Sequence, residues 1–580
     1  METMTFNLLD ERWIRIVQSD GKEDELSLRD VFLHAHEYAD LSGELPAQDF
    51  AMLRFLLAVL HAVFSRVDET GADAPLKKRE DAYQRWRVLW ELGRFPEKPI
   101  LDYLERWRDR FDLFHPDYPF WQVPAAEASS DPYSANKLNG ELLESKNPHK
   151  HRIFLTRMGE NRVRLSFAEA ARWLLFTNGF DDAGVKKSPQ ESKWENRTNQ
   201  KLPSAGRGWL GQLGLISVMG ENLFETLLLN FVLLDHHKRP WKACQPVWER
   251  QEPGKGFRET VLPPRDNQAA LLTWQSRRLL LCRDGNLVTG FHRVAGDIFE
   301  AKDMFAEQMT MWKSDWKKRG KERYVDGFLP KAHDRSRRMW QDFASLITKA
   351  DAVKDEHTPG IVTWMRQLMD KDCLPGNGYL CLRIVSASYD GNGSSIIDSF
   401  EDSLTFHRNL LSQLGEGWMD RIDSTLRECE KLAQYIAILA LHLHYAEAGK
   451  KEGKDSKEEV ERIKEQAKEQ LYYRLDVPFR DWLRSLEPSQ GEERQQEWHE
   501  TARRIAEKMG RDLVEQAGPA AFRGRYVKSD EDEEDEEDGK GKKSGKSEKD
   551  SKEKKKFYSA PKEFNIFMSC LKKWGKRKST

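Results

Sequence analysis

Cysteine is scarce and scattered. Cys244, Cys282, Cys373, Cys381, Cys429 and Cys570 lie far apart in 580 residues, and none forms a CxxC pair. That spacing argues against a structural zinc site and against a disulfide framework, and it fits a reducing cytoplasm. The opening METMTFNLLDERW lacks the basic-then-apolar order of a secretory leader. No apolar run is expected to reach the roughly 18 residues that span a bilayer, so no membrane partner is expected. HExxH, GxSxG and the glycine-rich dinucleotide turn are all missing, and no internal repeat is found. GKKSGKS at 541–547 has the wrong spacing for a phosphate loop. His236 and His237 follow Asp235; on a helix such neighbours point about 100° apart, which disfavours a shared metal. No metal and no cofactor are therefore expected, and the silence of catalytic motifs counts against an enzyme.

A one-signed charge field is missing too. A third of the residues are charged, yet the net charge is −2, because acidic 530–538 is followed by a lysine-rich stretch to Lys556. Any nucleic-acid contact must come from local patches. The tract at about 528–556 cannot bury apolar area and is expected to be disordered.

What is present is enough core for two or more domains: 39% hydrophobic residues and 19 tryptophans. FNLLDERWIRIVQ alternates as a strand and runs into a Ser19-Asp20-Gly21 turn; LSLRDVFLHAHEY reads as a helix. From Pro46 to Phe64, Leu53, Leu56, Leu57, Leu60, Val63 and Phe64 recur at helical spacing and mark core. FHPDYPFWQVP is either a packed plug or a stacking platform. LLTWQSRRLLLCRDGNLVTGFHRVAG is a hairpin with an Asp284-Gly285 turn. Residues 301–375 read as helices, and YLCLRIVSASYDGNGSSIID as a strand, a glycine turn and a helix start. From Asp398 the stretches DSLTFHRNLLSQL, LRECEKLAQYIAILALHLHYAEA, VERIKEQAKEQLYYRLDVPFRDWLRSL, EWHETARRIAEKMGRDLVEQ and EFNIFMSCLKKW all read as amphipathic helices. The expected fold is α+β: a mixed domain with small sheets over 1–397, then an antiparallel four-helix bundle over 398–580.

Three short turns rich in Gly, Asn, Lys and Arg carry the functional signal: Arg157 to Arg164, Phe180 to Lys187 and Asp390 to Ser394. In FTNGFDDAGVKKS, Asp181, Asp182, Ala183, Gly184, Lys186 and Lys187 crowd together in a way no core requires. Such a turn lets backbone approach something charged and flat. Lysine and arginine supply phosphate contacts, glycine gives access to the minor groove, and a compact tip can wedge between base pairs. Each turn alone also reads as an ordinary surface loop.

The chain resembles a family, the large subunit of the type I-E CRISPR Cascade complex (the CasA family). The resemblance rests on FNLLDERWI, SLRDVF, LSGELPAQDFAMLRFLLAVLHAVF, HPDYPFWQ, DDAGVKKS, LTWQSRR and MTMWK, in family order over essentially the whole chain. It implies one copy per complex of a non-catalytic protein beside the 5′ end of the crRNA and the other Cascade subunits. Such a protein recognises the protospacer-adjacent motif (PAM) in double-stranded target DNA, helps open the duplex and recruits a helicase-nuclease. Carried over residue by residue, the docking loop matches Phe154, Arg157, Gly159, Arg162 and Arg164, with Phe154 as apolar anchor. The PAM loop matches Asp181–Gly184 with Lys186 and Lys187. The strand-splitting wedge matches Gly391, Asn392 and Gly393, and the lysine finger has Arg283 or Lys313 as candidates. Two other readings stay open: a stand-alone metal-dependent nuclease using His236, His237 and nearby acids, and a scaffold subunit without DNA readout.

Overall fold

The computed structural model describes residues 5–575 except 125, 130, 141–161, 185, 187–205, 243, 251–264, 298, 320–321, 348–356, 376, 394, 412–415, 450–453, 487–490 and 529–554. The chain divides into two compact units, Met1–Ser412 and Gln413–Thr580. Both helices and small sheets are present, in the mixed α+β class.

The first unit opens with β1 (Ile14–Gln18), β2 (Glu23–Leu26), α1 (Leu28–Leu33), β3 (Tyr38–Leu41) and α2 (Pro46–Phe64). Its three-stranded sheet has the order β2-β1-β3, and the expected turn joins β1 to β2. α1 is shorter than expected: Ser27 caps its start, and the chain turns at His34. Next come α3 (Arg79–Leu92) and α4 (Glu97–Arg106), separated by Gly93 in the left-handed region at φ 66°. Then follow α5 (Ala126–Ser129), β4 (Tyr133–Ser134), α6 (Ala135–Leu138) and α7 (Phe167–Phe180).

α2 is the spine of this unit. Its residues from Phe50 to Phe64 are all buried, polar Arg54 and His61 included. The expectation of no span-length apolar run needs correcting: among the described residues α2 alone is long and apolar enough to cross a membrane, and 94% of that window is covered by protein. Arg54 is neutralised inside the core by a two-pronged ion pair with Glu307, both N···O distances being 2.9 Å. The 114–124 segment resolves as a plug. Phe120 packs its ring against Trp13, Phe55 and Phe111, and Val123 N–H donates to Leu279 C=O at 2.8 Å.

The remainder of this unit holds β5 (Leu215–Met219), α8 (Leu223–Leu229), α9 (Gln268–Leu272), β6 (Arg277–Asp284), β7 (Leu287–Ala295), β8 (Trp312–Arg319), β9 (Glu322–Pro330), α10 (Phe343–Ile347), α11 (Gly360–Asp370), β10 (Tyr379–Tyr389) and β11 (Ile396–His407). Two three-stranded sheets, β4-β7-β6 and β11-β10-β5, and a two-stranded β8-β9 ribbon result. The β6–β7 hairpin matches expectation. Two stretches do not. Residues 312–330 form a ribbon rather than helix; its largely exposed strands carry no apolar alternation for periodicity to detect. Residues 396–407 form a strand rather than a helix start, because eleven register pairs with β10 bury Leu404 and Phe406 on alternate positions. The stretch 398–411 accordingly belongs to the first unit, not to a helical domain.

The second unit holds α12 (Glu416–Ala448), α13 (Lys454–Arg484), α14 (Gly491–Glu515), α15 (Pro519–Arg523), β12 (Arg525–Lys528), β13 (Lys555–Tyr558) and α16 (Ala560–Lys573). Leu432, Ile436, Leu471, Leu475, Phe479, Trp498 and Phe567 fill its core. Gly510 is needed where α14 meets α16, since a Cβ there would sit 2.4 Å from the Phe567 ring. The ends of the charged tract are ordered as a ladder pairing Lys528 with Lys555 and Val527 with Lys556, which corrects the expected disorder boundary at both ends. The rest of the tract, 529–554, lies outside the described residues.

Two outcomes follow. Burial holds the His61 imidazole down to about 3, so the unfolded chain takes up a proton below about pH 6.5 that the folded chain refuses, and stability falls with acidification. His61→Leu should flatten that acid limb of thermal unfolding by up to about 1.4 kcal/mol per pH unit. Replacing 529–554 by a two-residue turn between β12 and β13 should leave the melting temperature of the second unit within about 2 °C.

Candidate nucleic-acid interface

α7 starts at a capping box. Ser166 Oγ accepts Glu169 N–H at 3.2 Å, and the Glu169 carboxylate accepts Ser166 N–H at 2.8 Å. Leu165 just before it exchanges backbone hydrogen bonds with Val288 on β7. Of the docking-loop residues, half-buried Arg162 and exposed Arg164 lead into this cap, while Phe154, Arg157 and Gly159 lie outside the described residues. At its far end α7 is pinned closely. A Cβ on Gly179 would sit 2.5 Å from Leu210 Cδ1, and Phe180 C=O accepts the Tyr389 hydroxyl at 2.6 Å.

The chain then enters the DDAG turn, and here the expectation is corrected. Asp181 and Asp182 are each 5% exposed, and the Lys186 side chain 1%. They are core, because arginines from the β6–β7 hairpin come to meet them. Arg277 Nε donates to Asp181 Oδ2 at 2.5 Å, and Arg293 Nη1 donates to Asp181 Oδ1. Arg277 also donates to the carbonyls of Asp182 (2.9 Å) and Gly206 (2.7 Å). Lys186 Nζ reaches Asp182 Oδ1 at 2.7 Å, and Lys137 Nζ from α6 reaches Asp182 Oδ2 at 3.0 Å. Burial alone would raise the Asp181 carboxyl; the charges of Arg293, Lys186 and Arg277 reverse that and hold it well below the usual carboxylate range. Burial also brings the Lys186 ammonium down to about 8 against the pull of Asp181. Lys186 is thus spent on the fold rather than offered to phosphates. Ala183 and Gly184 stay half-buried at the surface, and Lys187 lies outside the described residues.

The β10–β11 turn packs directly on this loop. Ala183 N–H donates to Gly393 C=O at 2.6 Å. Gly393 is buried at φ +69°, where a Cβ would meet Arg207 Nε at 2.9 Å. Arg207 in turn lies 4.4 Å over the Tyr389 ring. Gly391 and Asn392 are left exposed at the tip. Two candidate sites read separately in sequence, 181–184 and 391–393, are thereby one surface. Both lysine-finger candidates are exposed. Arg283 is exposed at the other end of β6 from Arg277, about 20 Å along the strand, with its guanidinium 4.8 Å over Phe114. Lys313 is exposed on β8.

His236 and His237 occupy a turn, not a helix. Asp235 shapes that turn by accepting the N–H groups of His237 and Arg239, both at 2.9 Å. Among the described residues no group of three or more His, Cys, Asp or Glu side chains could hold a metal ion.

Sequence reasoning missed Arg277, Arg293, Arg207 and Tyr389. A signal existed: arginines inside the apolar strands RRLLLC and FHRVAG need buried carboxylates as partners.

A family model described as CRISPR-associated protein Cse1 matches residues 7–509. The chain belongs to the CRISPR-associated Cse1 family. This Cse1 chain is 28% identical over 454 residues to the CasA/Cse1 protein of Thermus thermophilus, covering 77% of this chain and 79% of that one. It superposes on the crystal structure of Thermobifida fusca Cse1 with a TM-score of 0.75 at 28% identity, over 98% of both chains. A chain of a CRISPR RNA-guided surveillance complex shares the fold at 18% identity, with a TM-score of 0.61 over 88% of this chain and 95% of that one.

Asp181→Asn should leave Arg277 and Arg293 buried without a full counter-charge. Thermal or denaturant unfolding of the first unit should show a loss of about 3–5 kcal/mol, larger than that of Lys186→Met, which leaves both arginine pairs in place.

Proposed function

We propose that this Cse1-family chain is the non-catalytic large subunit of a type I-E Cascade complex, present in one copy beside the crRNA 5′ end in the cytoplasm. In this role it recognises the PAM of double-stranded target DNA, starts strand separation, and recruits the helicase-nuclease for antiviral defence. The second unit's four long helices serve as the bundle that meets neighbouring subunits.

The observation that carries the reading is the hydrogen bond from Ala183 to Gly393, which joins the recognition loop to the hairpin tip. With Asp181, Asp182 and Lys186 turned inward, the surface offered to DNA is small side chains and backbone at Ala183, Gly184, Gly391 and Asn392. Such a surface suits the minor groove, where readout separates base-pair classes without long side chains. Asn392 at the exposed tip is the wedge, and each opened step costs a few kcal/mol. Because R-loop exchange is close to balanced, contacts of this size tip it. Burial of the charged members of the turn also favours a second reading, a scaffold whose loop is pure structure.

The two readings separate in one experiment. Guide-loaded Cascade, with and without this chain, is tested for binding to duplexes with randomised flanks. Flank-dependent binding should need the chain and should vanish with Ala183→Asp/Gly184→Asp. Flank-independent binding in both cases would leave the scaffold reading. In the same complex, Gly391→Ala/Asn392→Ala should keep flank preference yet slow duplex opening, read by 2-aminopurine fluorescence, by about tenfold or more.

A further inference from the structure

Phe180 ends α7, and the N–H groups that could close the helix on its carbonyl are spent elsewhere. Ala183 N–H donates to Gly393 C=O at 2.6 Å, and Gly184 N–H donates to Asp182 Oδ1 at 2.8 Å. A carbonyl at a helix C-terminus inside the protein then needs another donor. Tyr389 supplies it: its hydroxyl donates to Phe180 C=O at 2.6 Å. The end of α7 and the β10–β11 hairpin thus exchange two hydrogen bonds, one given by main chain and one by a side chain. Only the second can be removed by a substitution.

The surroundings aim that side chain. Ser388 pairs with Asp398 but Tyr389 with Ile396, so the β10–β11 register slips and Ile397 has no opposite residue. Such a bulge twists the strand and redirects the side chain beside it. The hydroxyl passes over Gly211, where a Cβ would sit 2.0 Å from its oxygen. The Arg207 guanidinium lies 4.4 Å over the ring and also borders Gly393. Burial raises the hydroxyl above its usual range, so it keeps its proton and remains a donor.

A phenylalanine would fill the same space; what the tyrosine adds is the hydrogen bond. We propose that Tyr389 is a positioning residue for strand separation. Its hydroxyl fixes the hairpin tip, Gly391 and Asn392, relative to the recognition loop at Ala183 and Gly184. Without it the hairpin pivots about the one bond from Ala183. Tyr389 itself touches no DNA in this role. The inference rests on the function proposed above, and it adds the residue that holds the wedge at the place where recognition occurs.

The test uses the full chain, both free and assembled into guide-loaded Cascade. In the free chain, Tyr389→Phe should speed amide hydrogen exchange at Ala183 and Gly393 about fivefold, the worth of one hydrogen bond, and leave the middle of α7 unchanged. In the complex, the same variant should keep flank-dependent binding within about twofold and slow duplex opening, read by 2-aminopurine fluorescence, about fivefold. A target already unpaired beside the flank should restore the wild-type rate, which a general loss of fold would not allow. Gly211→Ala, which drives the hydroxyl aside, should reproduce these effects, and the double variant should be no slower than either single one. Unchanged exchange, opening at the wild-type rate, or slow opening on the unpaired target would each overturn the proposal. Wild-type binding that ignores the flank would sink the proposed function and with it this role of Tyr389. The exchange measurement needs no DNA, so a missing latch and a missing function are told apart.

Discussion

A carboxylate taken out of water keeps its charge only if cations are brought to it. At Asp181 that requirement organises everything nearby. Its cations come from residues 277 and 293, diagonal neighbours on the two strands of one hairpin, and from Lys186 a few residues downstream. A guanidinium offers donors in a fixed planar fork, so satisfying Asp181 also orients Arg277 toward the carbonyls of Asp182 and Gly206. The end of α7, the β6–β7 hairpin and the 206–208 backbone are thereby fastened at one point. The β10–β11 turn, resting on Ala183, inherits its position from that point. The proposed binding surface of glycine, alanine and asparagine has little stiffness of its own, and the buried charges beneath it supply the rigidity.

α7 also spaces two proposed sites. The residues proposed for docking precede its capped start and those proposed for recognition follow its end, about 21 Å away for 14 residues. Thirteen of its fourteen residues are buried, Glu169 being the exception.

Legibility in sequence followed the range of the interactions. α2 and the β6–β7 hairpin were readable because periodicity, a proline at the helix start and an Asp-Gly turn are all local. The helical character of most of the second unit was readable for the same reason. β11 was not, since its identity comes from β10 lying beside it, and the β8–β9 ribbon was not, since exposure on both faces leaves no apolar pattern. The candidate loop was found by its composition but misjudged in exposure. Asp181 and Asp182 look solvent-facing to anyone reading thirteen residues; the partners that bury them lie 96 and 112 residues further along. The link from Ala183 to Gly393 spans a still longer stretch, and nothing local announces it.

The burial of α2 has a consequence for biosynthesis. Its cover is made by α7, α9, β10 and β11, and the last of these ends at His407. At ribosomal speeds of about 5–20 residues per second, roughly 20–70 s pass between completion of α2 and completion of its cover. Until the last of that cover exists, the nascent chain displays part of a helix apolar enough to be mistaken for a membrane anchor. The architecture that makes this helix the spine of the finished protein thus makes it the chief hazard of the unfinished one.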